Sequence, residues 1–212
     1  MSNEKQNILI AGAHGTTGKI IIELLQQSDK YNPIAMVRKQ DQKTYFEEKN
    51  IAAVLANLED EDLSNAVANA HKIIFAAGSK GKNVIGVDQE GAKNLIKAAE
   101  NSGAKKFVML STMGADEPSV NKELEEYLKA KQNADEFLQS SGLDYSIVRP
   151  GSLTDNSGTG TIQLEDKLGE HGEIPRADVA KTLVNMLDDN IKHNQVFEII
   201  SGDVAIEKAL AN

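Results

Sequence analysis

The chain has 212 residues, 40% of them apolar and 16 of them glycine, with 23 basic against 32 acidic side chains and a formal charge of −9. This length and composition read as one globular domain over residues 1–212 with a self-sufficient core, and they exclude disorder and collagen-like repeats. The absence of cysteine excludes disulfides, thiolate zinc sites, iron–sulfur clusters and a cysteine nucleophile, and the negative field argues against nucleic acid and anionic membranes as partners.

The first apolar run, 8–11, is too short for a signal-peptide core, and no stretch approaches the ~20 apolar residues of a membrane span. A cytoplasmic location is therefore expected. From there, short apolar runs alternate with longer segments of helical period, the pattern of βα units closing a parallel sheet. Strands are expected at 7–11, 33–38, 52–55, 72–76, 106–110, 144–149 and 195–199, and helices near 17–27, 41–49, 60–69, 88–102, 121–141, 177–189 and 204–210. The expected fold is α/β, a doubly wound (Rossmann) parallel sheet of about seven strands with helices on both faces. Such sheets bind ligands beyond the carboxyl ends of their strands.

The first strand runs into Gly12-Ala13-His14-Gly15-Thr16-Thr17-Gly18 and then an apolar helix. Glycine at the turn permits positive φ, the middle glycine lets backbone N–H groups approach a pyrophosphate, and the last lets the helix pack on the strand. The helix N-terminus then meets the phosphate charge. A mononucleotide loop would need four residues between its glycines, and here five separate Gly12 from Gly18, with Ile20 after Lys19. The second strand ends at Arg38, about where an NAD-specific site carries an acid for the ribose 2′-hydroxyl. A guanidinium suits a 2′-phosphate instead, so NADP(H) is favoured over NAD(H); Asp41 is the acid that would serve NAD if the loop folds back.

On these residues the chain resembles, over nearly its whole length, the atypical, NmrA-like branch of the short-chain dehydrogenase/reductase superfamily. Its glycine pattern is similar to that superfamily's Thr-Gly-x-x-Gly-x-x-Gly, with Ala11 in place of the threonine. The resemblance implies further cofactor contacts. Asn57 and Leu58 would lie beside the adenine, Ala76, Ala77 and Gly78 would follow the fourth strand, and Ser111 and Thr112 would end the fifth. Pro150, Gly151 and Ser152 would lie beside the nicotinamide. Tyr127 and Lys131 read as the superfamily's Tyr-x-x-x-Lys, and residues at i and i+4 share a helix face. In that role Lys131 lowers the tyrosine pKa and holds the nicotinamide ribose, Tyr127 is the catalytic acid, and Thr112 or Ser111 orients the substrate. The branch often lacks the tyrosine, so a tyrosine-independent mechanism stays open.

His14, His71, His171 and His193 show no metal-ligand spacing, and no metal is expected. The segment 152–176 interrupts the βα pattern and forms a small substrate side, in which Gly158 to Gly160 reads as a surface hairpin or a flexible rim. A compact chain of this kind also resembles the NADPH-dependent flavin reductase (biliverdin reductase B) type. The expected function is hydride transfer from NADPH to a small carbonyl, quinone or flavin-like acceptor. Two alternatives stand beside it: a non-enzymatic NADP(H)-binding redox sensor or assembly factor, and an epimerase- or dehydratase-like sugar enzyme. A monomer or weak homodimer is expected.

Overall fold

The computed structural model describes residues 4–211. Strand β1 (Gln6–Ala11) shows how the sequence builds the layers, because its side chains alternate between two cores. Ile8 and Ile10 face Ile21, Ile22 and Leu25 of helix α1 (Thr16–Gln26) and Val179, Ala180 and Leu183 of α6 (Arg176–Asn185). Leu9 and Ala11 face Leu95, Ile96 and Ala99 of α4 (Ala92–Ser102) and Ala134 and Leu138 of α5 (Glu125–Gln139). A strand apolar on both faces is what a sheet covered by helices on both sides requires.

The remaining parallel strands are β2 (Tyr31–Val37), β3 (Ala52–Leu55), β4 (Lys72–Phe75), β5 (Lys106–Leu110), β6 (Asp144–Pro150) and β10 (Gln195–Ser201). Helices α2 (Gln40–Glu47) and α3 (Ser64–Val67) complete the first half. Strands β8 (Thr161–Glu165) and β11 (Val204–Ala205) add an antiparallel edge, giving the nine-stranded order β11-β8-β10-β6-β5-β4-β1-β2-β3. The chain order reverses between β1 and β4, which opens the crevice at the carboxyl ends of these strands.

All seven expected strands are present, and the sheet is mixed rather than purely parallel. The segment 152–176, read as an interruption, contains β8 and a separate parallel pair, β7 (Ser152–Thr154) with β9 (Glu173–Pro175). These strands are only three to five residues long, too short to show a period. Several helices differ at their ends. The helix expected from 88 begins as a π-helical segment, Val84–Gly91, that runs directly into α4, and the one expected from 121 starts at Glu125 after a 3₁₀ turn, Pro118–Val120. Helix α3 is confined to one turn, and the terminal helix is split into β11 and α7 (Ile206–Leu210).

Candidate functional site

The glycine loop joins β1 to α1 at the crevice. Gly12 has φ +83°, and a Cβ there would lie 2.6 Å from the Ala76 carbonyl oxygen, so the loop is pressed against the exit of β4. A Cβ on Gly18 would overlap the Gly12 carbonyl, so this glycine brings the helix onto the strand. Gly15 differs from both. Its φ of −71° suits any residue, and a Cβ would meet protein only at the Gly12 oxygen, 3.1 Å away. The free space beside Gly15 faces the start of α1, where no side chain caps the helix and no acid lies in the first turn. The first amides of a helix have no intrahelical acceptor, so those of Thr16, Thr17 and Gly18 are offered to an anion.

Ala13 is fully buried, and His14 is anchored sideways on α2. Its ring packs edge-on against Tyr45 and Phe46, with centroids 5.5 and 6.2 Å away, and Nδ1 lies 3.5 Å from Gln42 Nε2. Burial, then the Lys19 charge, holds its pKa below the ordinary value against the opposing pull of Asp41. These contacts hold the ring against α2. Arg38 is the first residue after β2; it is exposed and has no ion-pair partner among the described residues. Asp41 lies in the first turn of α2, on the same side as His14.

Across the crevice, Ala76, Ala77 and Gly78 follow β4, and buried Asp88 of the π-helical segment pins this exit by accepting the Ser79 amide at 3.0 Å. Asn57 and Leu58 follow β3; Leu58 is buried and its carbonyl accepts from Asn94 on α4. The amides of Gly151 and Ser152 are taken by the carbonyls of Ile199 and Gly172, and Pro150 accepts from the Met113 amide. These residues therefore tie β6 to its neighbours and present other atoms to the crevice.

Lys131 is 4% exposed, and its ammonium donates to the Leu110 carbonyl at 3.1 Å, below the last residue of β5. It lies 6.0 Å from the Tyr127 ring centroid and 5.9 Å from that of Phe75. The structure thus brings Tyr127 and Lys131 together at the carboxyl ends of β4 and β5. Thr112 and Tyr127 are half-buried, whereas Ser111 is buried with its hydroxyl donating to Asp135 at 2.8 Å. Asp135 and Arg149 are functional candidates that the sequence reading missed as a pair. The available signal was spacing, since Asp135 is four residues beyond Lys131 and shares its helix face.

Among the described residues, three buried side-chain oxygens have no hydrogen-bond partner: Ser79 Oγ, Asp135 Oδ1 and Thr154 Oγ1. Ser79 follows β4, Thr154 ends β7, the short strand after β6, and the partners of Asp135 sit at the ends of β5 and β6. Unpaired buried oxygens are costly, and their collection at one end of the sheet fits a site completed by a polar ligand. The open space at Gly15, the uncapped helix start and the free Arg38 fit a dinucleotide in particular. Two hollows of about 280 and 510 Å³ lie elsewhere, one along α3 and α4 and the other at the amino ends of β2 and β3. Neither gathers the groups described here.

Residues 12–190 match the family model described as NAD(P)H-binding. The chain belongs to this NAD(P)H-binding family, and its resemblance to the atypical, NmrA-like dehydrogenases is borne out. It is 40% identical over 210 residues to the Bacillus subtilis protein named uncharacterized sugar epimerase YhfK, covering 96% of this chain and 98% of that one. Among solved structures, the oxidoreductase ylbE of Lactococcus lactis is 30% identical with TM-score 0.85, covering 96% of this chain and 94% of its own. ChuY of Escherichia coli O157:H7, titled an anaerobillin reductase, is 25% identical with TM-score 0.80, covering 94% and 98%. The family is thus oxidoreductase-like, with reductases among its members.

Proposed function

We propose that the protein binds NADP(H) and reduces a small planar acceptor, flavin- or quinone-like or a carbonyl. The observation that carries the cofactor reading is the exposed, unpaired Arg38 at the end of β2, level with an uncapped phosphate loop. A guanidinium there pairs with a 2′-phosphate bidentately. Asp41 is the competing group for NAD, and one titration separates them. By calorimetry the wild type is expected to bind NADPH more tightly than NADH, and Arg38→Asp to lose NADPH affinity ~10²-fold while changing NADH little. Equal losses for both nucleotides would remove Arg38 from the 2′-phosphate.

When bound, the dihydronicotinamide supplies the hydride. The chain's own groups would orient the partners: the α1 amides the pyrophosphate, Lys131 the ribose on leaving the Leu110 carbonyl, and the half-buried Thr112 and Tyr127 the acceptor. The similarity to ChuY, titled an anaerobillin reductase, supports the reductase reading. A second reading, a non-catalytic NADP(H)-binding sensor, is favoured by the commitment of the Ser111 and Lys131 heads to protein atoms. Turnover of NADPH with a panel of flavins, quinones and carbonyls supports the enzyme; tight cofactor binding with no turnover supports the sensor. Sugar epimerisation, suggested by the name of the Bacillus subtilis relative, would require a sugar nucleotide in the same panel to be converted.

A further inference from the structure

The polar contacts of the Asp135 carboxylate all fall on one oxygen. Ser111 Oγ donates to Oδ2 at 2.8 Å, Arg149 Nε donates to it at 3.0 Å, and Arg149 Nη2 lies 3.0 Å from it. Oδ1 is buried without a partner among the described residues, and the side chain as a whole is 1% exposed. A guanidinium only donates, so Oδ2 must be accepting. With Asp135 ionised by its pairing to Arg149, its oxygens only accept, so the single hydroxyl hydrogen of Ser111 is directed at Oδ2 and Ser111 keeps only lone pairs.

The surroundings reinforce this orientation. The Ser111 amide donates to Val148 on the neighbouring strand, and the charged groups around Asp135 are Arg149 from β6 and Lys131 from its own helix. Arg149 is held from its other side by Asp116, 3.8 Å away. Rotating the serine hydroxyl outward would strand a fully buried carboxylate with one partner fewer. We infer that Asp135 is a positioning residue that makes Ser111 a fixed hydrogen-bond acceptor at the reacting end of the crevice, recognising an amide-type N–H of the ligand. Two ligands carry such a group there, the nicotinamide carboxamide and the ring imide or lactam N–H of a flavin- or bilin-type acceptor. The inference rests on the reading of the crevice as an NADP(H) site.

The test compares ligands with and without that N–H on the full chain, by calorimetry. NADP⁺ and its 3-acetylpyridine analogue share a carbonyl, but the analogue has lost the N–H. If the carboxamide is the donor, the wild type binds NADP⁺ ~10-fold more tightly than the analogue, and Ser111→Ala brings the ratio to within about twofold. If the acceptor is the donor, the cofactor ratio is the same in both proteins. The wild type saturated with NADP⁺ then prefers riboflavin to N3-methylriboflavin ~10-fold, a preference lost in Ser111→Ala. Asp135→Ala provides the second variant: it removes the carboxylate that holds the hydroxyl hydrogen, so in a protein that keeps a native circular dichroism spectrum the same preference should fall with the serine still present. Ratios that match in wild type and Ser111→Ala on both arms, including no flavin bound at all, overturn the proposal. So does a ~100-fold loss of kcat in Ser111→Ala with unchanged ratios, the mark of a proton donor. A wild type that binds neither nucleotide refutes the reading of the crevice, and this inference with it.

Discussion

At Gly15 the backbone has φ −71°, and a Cβ would meet protein only at the Gly12 oxygen, 3.1 Å away, so a side chain there needs a small shift of the loop and would occupy the space proposed for the pyrophosphate. Gly15→Val should keep a native circular dichroism spectrum and a melting temperature within a few degrees of wild type, yet lose NADPH and NADH binding together in calorimetry. Normal binding by such a variant would reduce the loop to an ordinary turn. Tyr127 is tested differently, because its role depends on the acceptor. Reduction of a simple carbonyl develops an alkoxide that needs a proton, and there Tyr127→Phe should cost ~10²-fold in kcat. A flavin-type acceptor takes hydride at a ring nitrogen and its proton from solvent, so the same variant should lose less than ~10-fold. Steady-state kinetics with both acceptor types, read as kcat against NADPH affinity, decides between them.

The elements at the substrate side are held by a carboxylate that the sequence reading did not single out. Asp178, 2% exposed in the first turn of α6, accepts from the amides of Thr159 and Gly160 at 2.9 and 2.8 Å and from the Thr159 hydroxyl at 3.2 Å. The stretch Gly158 to Gly160 is therefore neither a flexible rim nor a hairpin tip. It is a clamped turn between β7 and β8, strands that do not pair with each other. Asp178→Ala strips both amides of their acceptor and should lower stability by about 2–4 kcal/mol in urea denaturation. It should also open the 155–161 turn to proteolysis while cofactor affinity stays near wild type. Helix ends were the least legible part of the sequence. The residues 84–91 wind as a π-helix, a form with no sequence period to read, in which Asp88 reaches the β4 exit and Gly91 seats against Leu58.

At the scale of the whole molecule, two buried lysines tie the amino ends of the sheet to the chain after α6. Lys72 donates to the Leu187 carbonyl and pairs with Asp189, and Lys106 donates to the carbonyls of Asp188 and Ile191. Burial, then the Lys72 charge, pushes Lys106 down from 10.5 to about 8, against the pull of Asp189, Asp144 and Asp188. Burial, then Asp188 and Asp189, pushes Tyr31 up from 10.0 to about 12. A lysine with a lowered folded pKa leaves the unfolded chain binding more protons between pH 8 and 10.5, so its contribution to stability rises with pH there. A tyrosine with a raised folded pKa has the opposite sign: its stabilising contribution, present below pH 10, is lost as pH climbs toward 12. Thermal melts should show the wild type gaining on Lys106→Met by a few degrees from pH 7.5 to 9.5. A constant difference across that range would mean that Lys106 titrates normally.

The sequence by itself determined the order of the seven parallel strands and their main helices and the position of the glycine loop, because both rest on local chemistry: runs of apolar residues with a helical or strand period, and glycines where the backbone must turn or pack closely. It also placed Tyr127, Lys131 and Thr112 at one end of the sheet, since residues after consecutive parallel strands share that end by topology. The tertiary structure alone decided what those side chains are free to do. Ser111 reads in the sequence as an available hydroxyl, and only the meeting of β5, β6 and α5 brings the carboxylate of Asp135 and the guanidinium of Arg149 to it. Likewise Lys72, Lys106 and Asp178 look like ordinary surface charges until the fold buries them. A charge is read in sequence by its type, but its energy depends on burial and partners, and these come from residues 14 to 117 positions away.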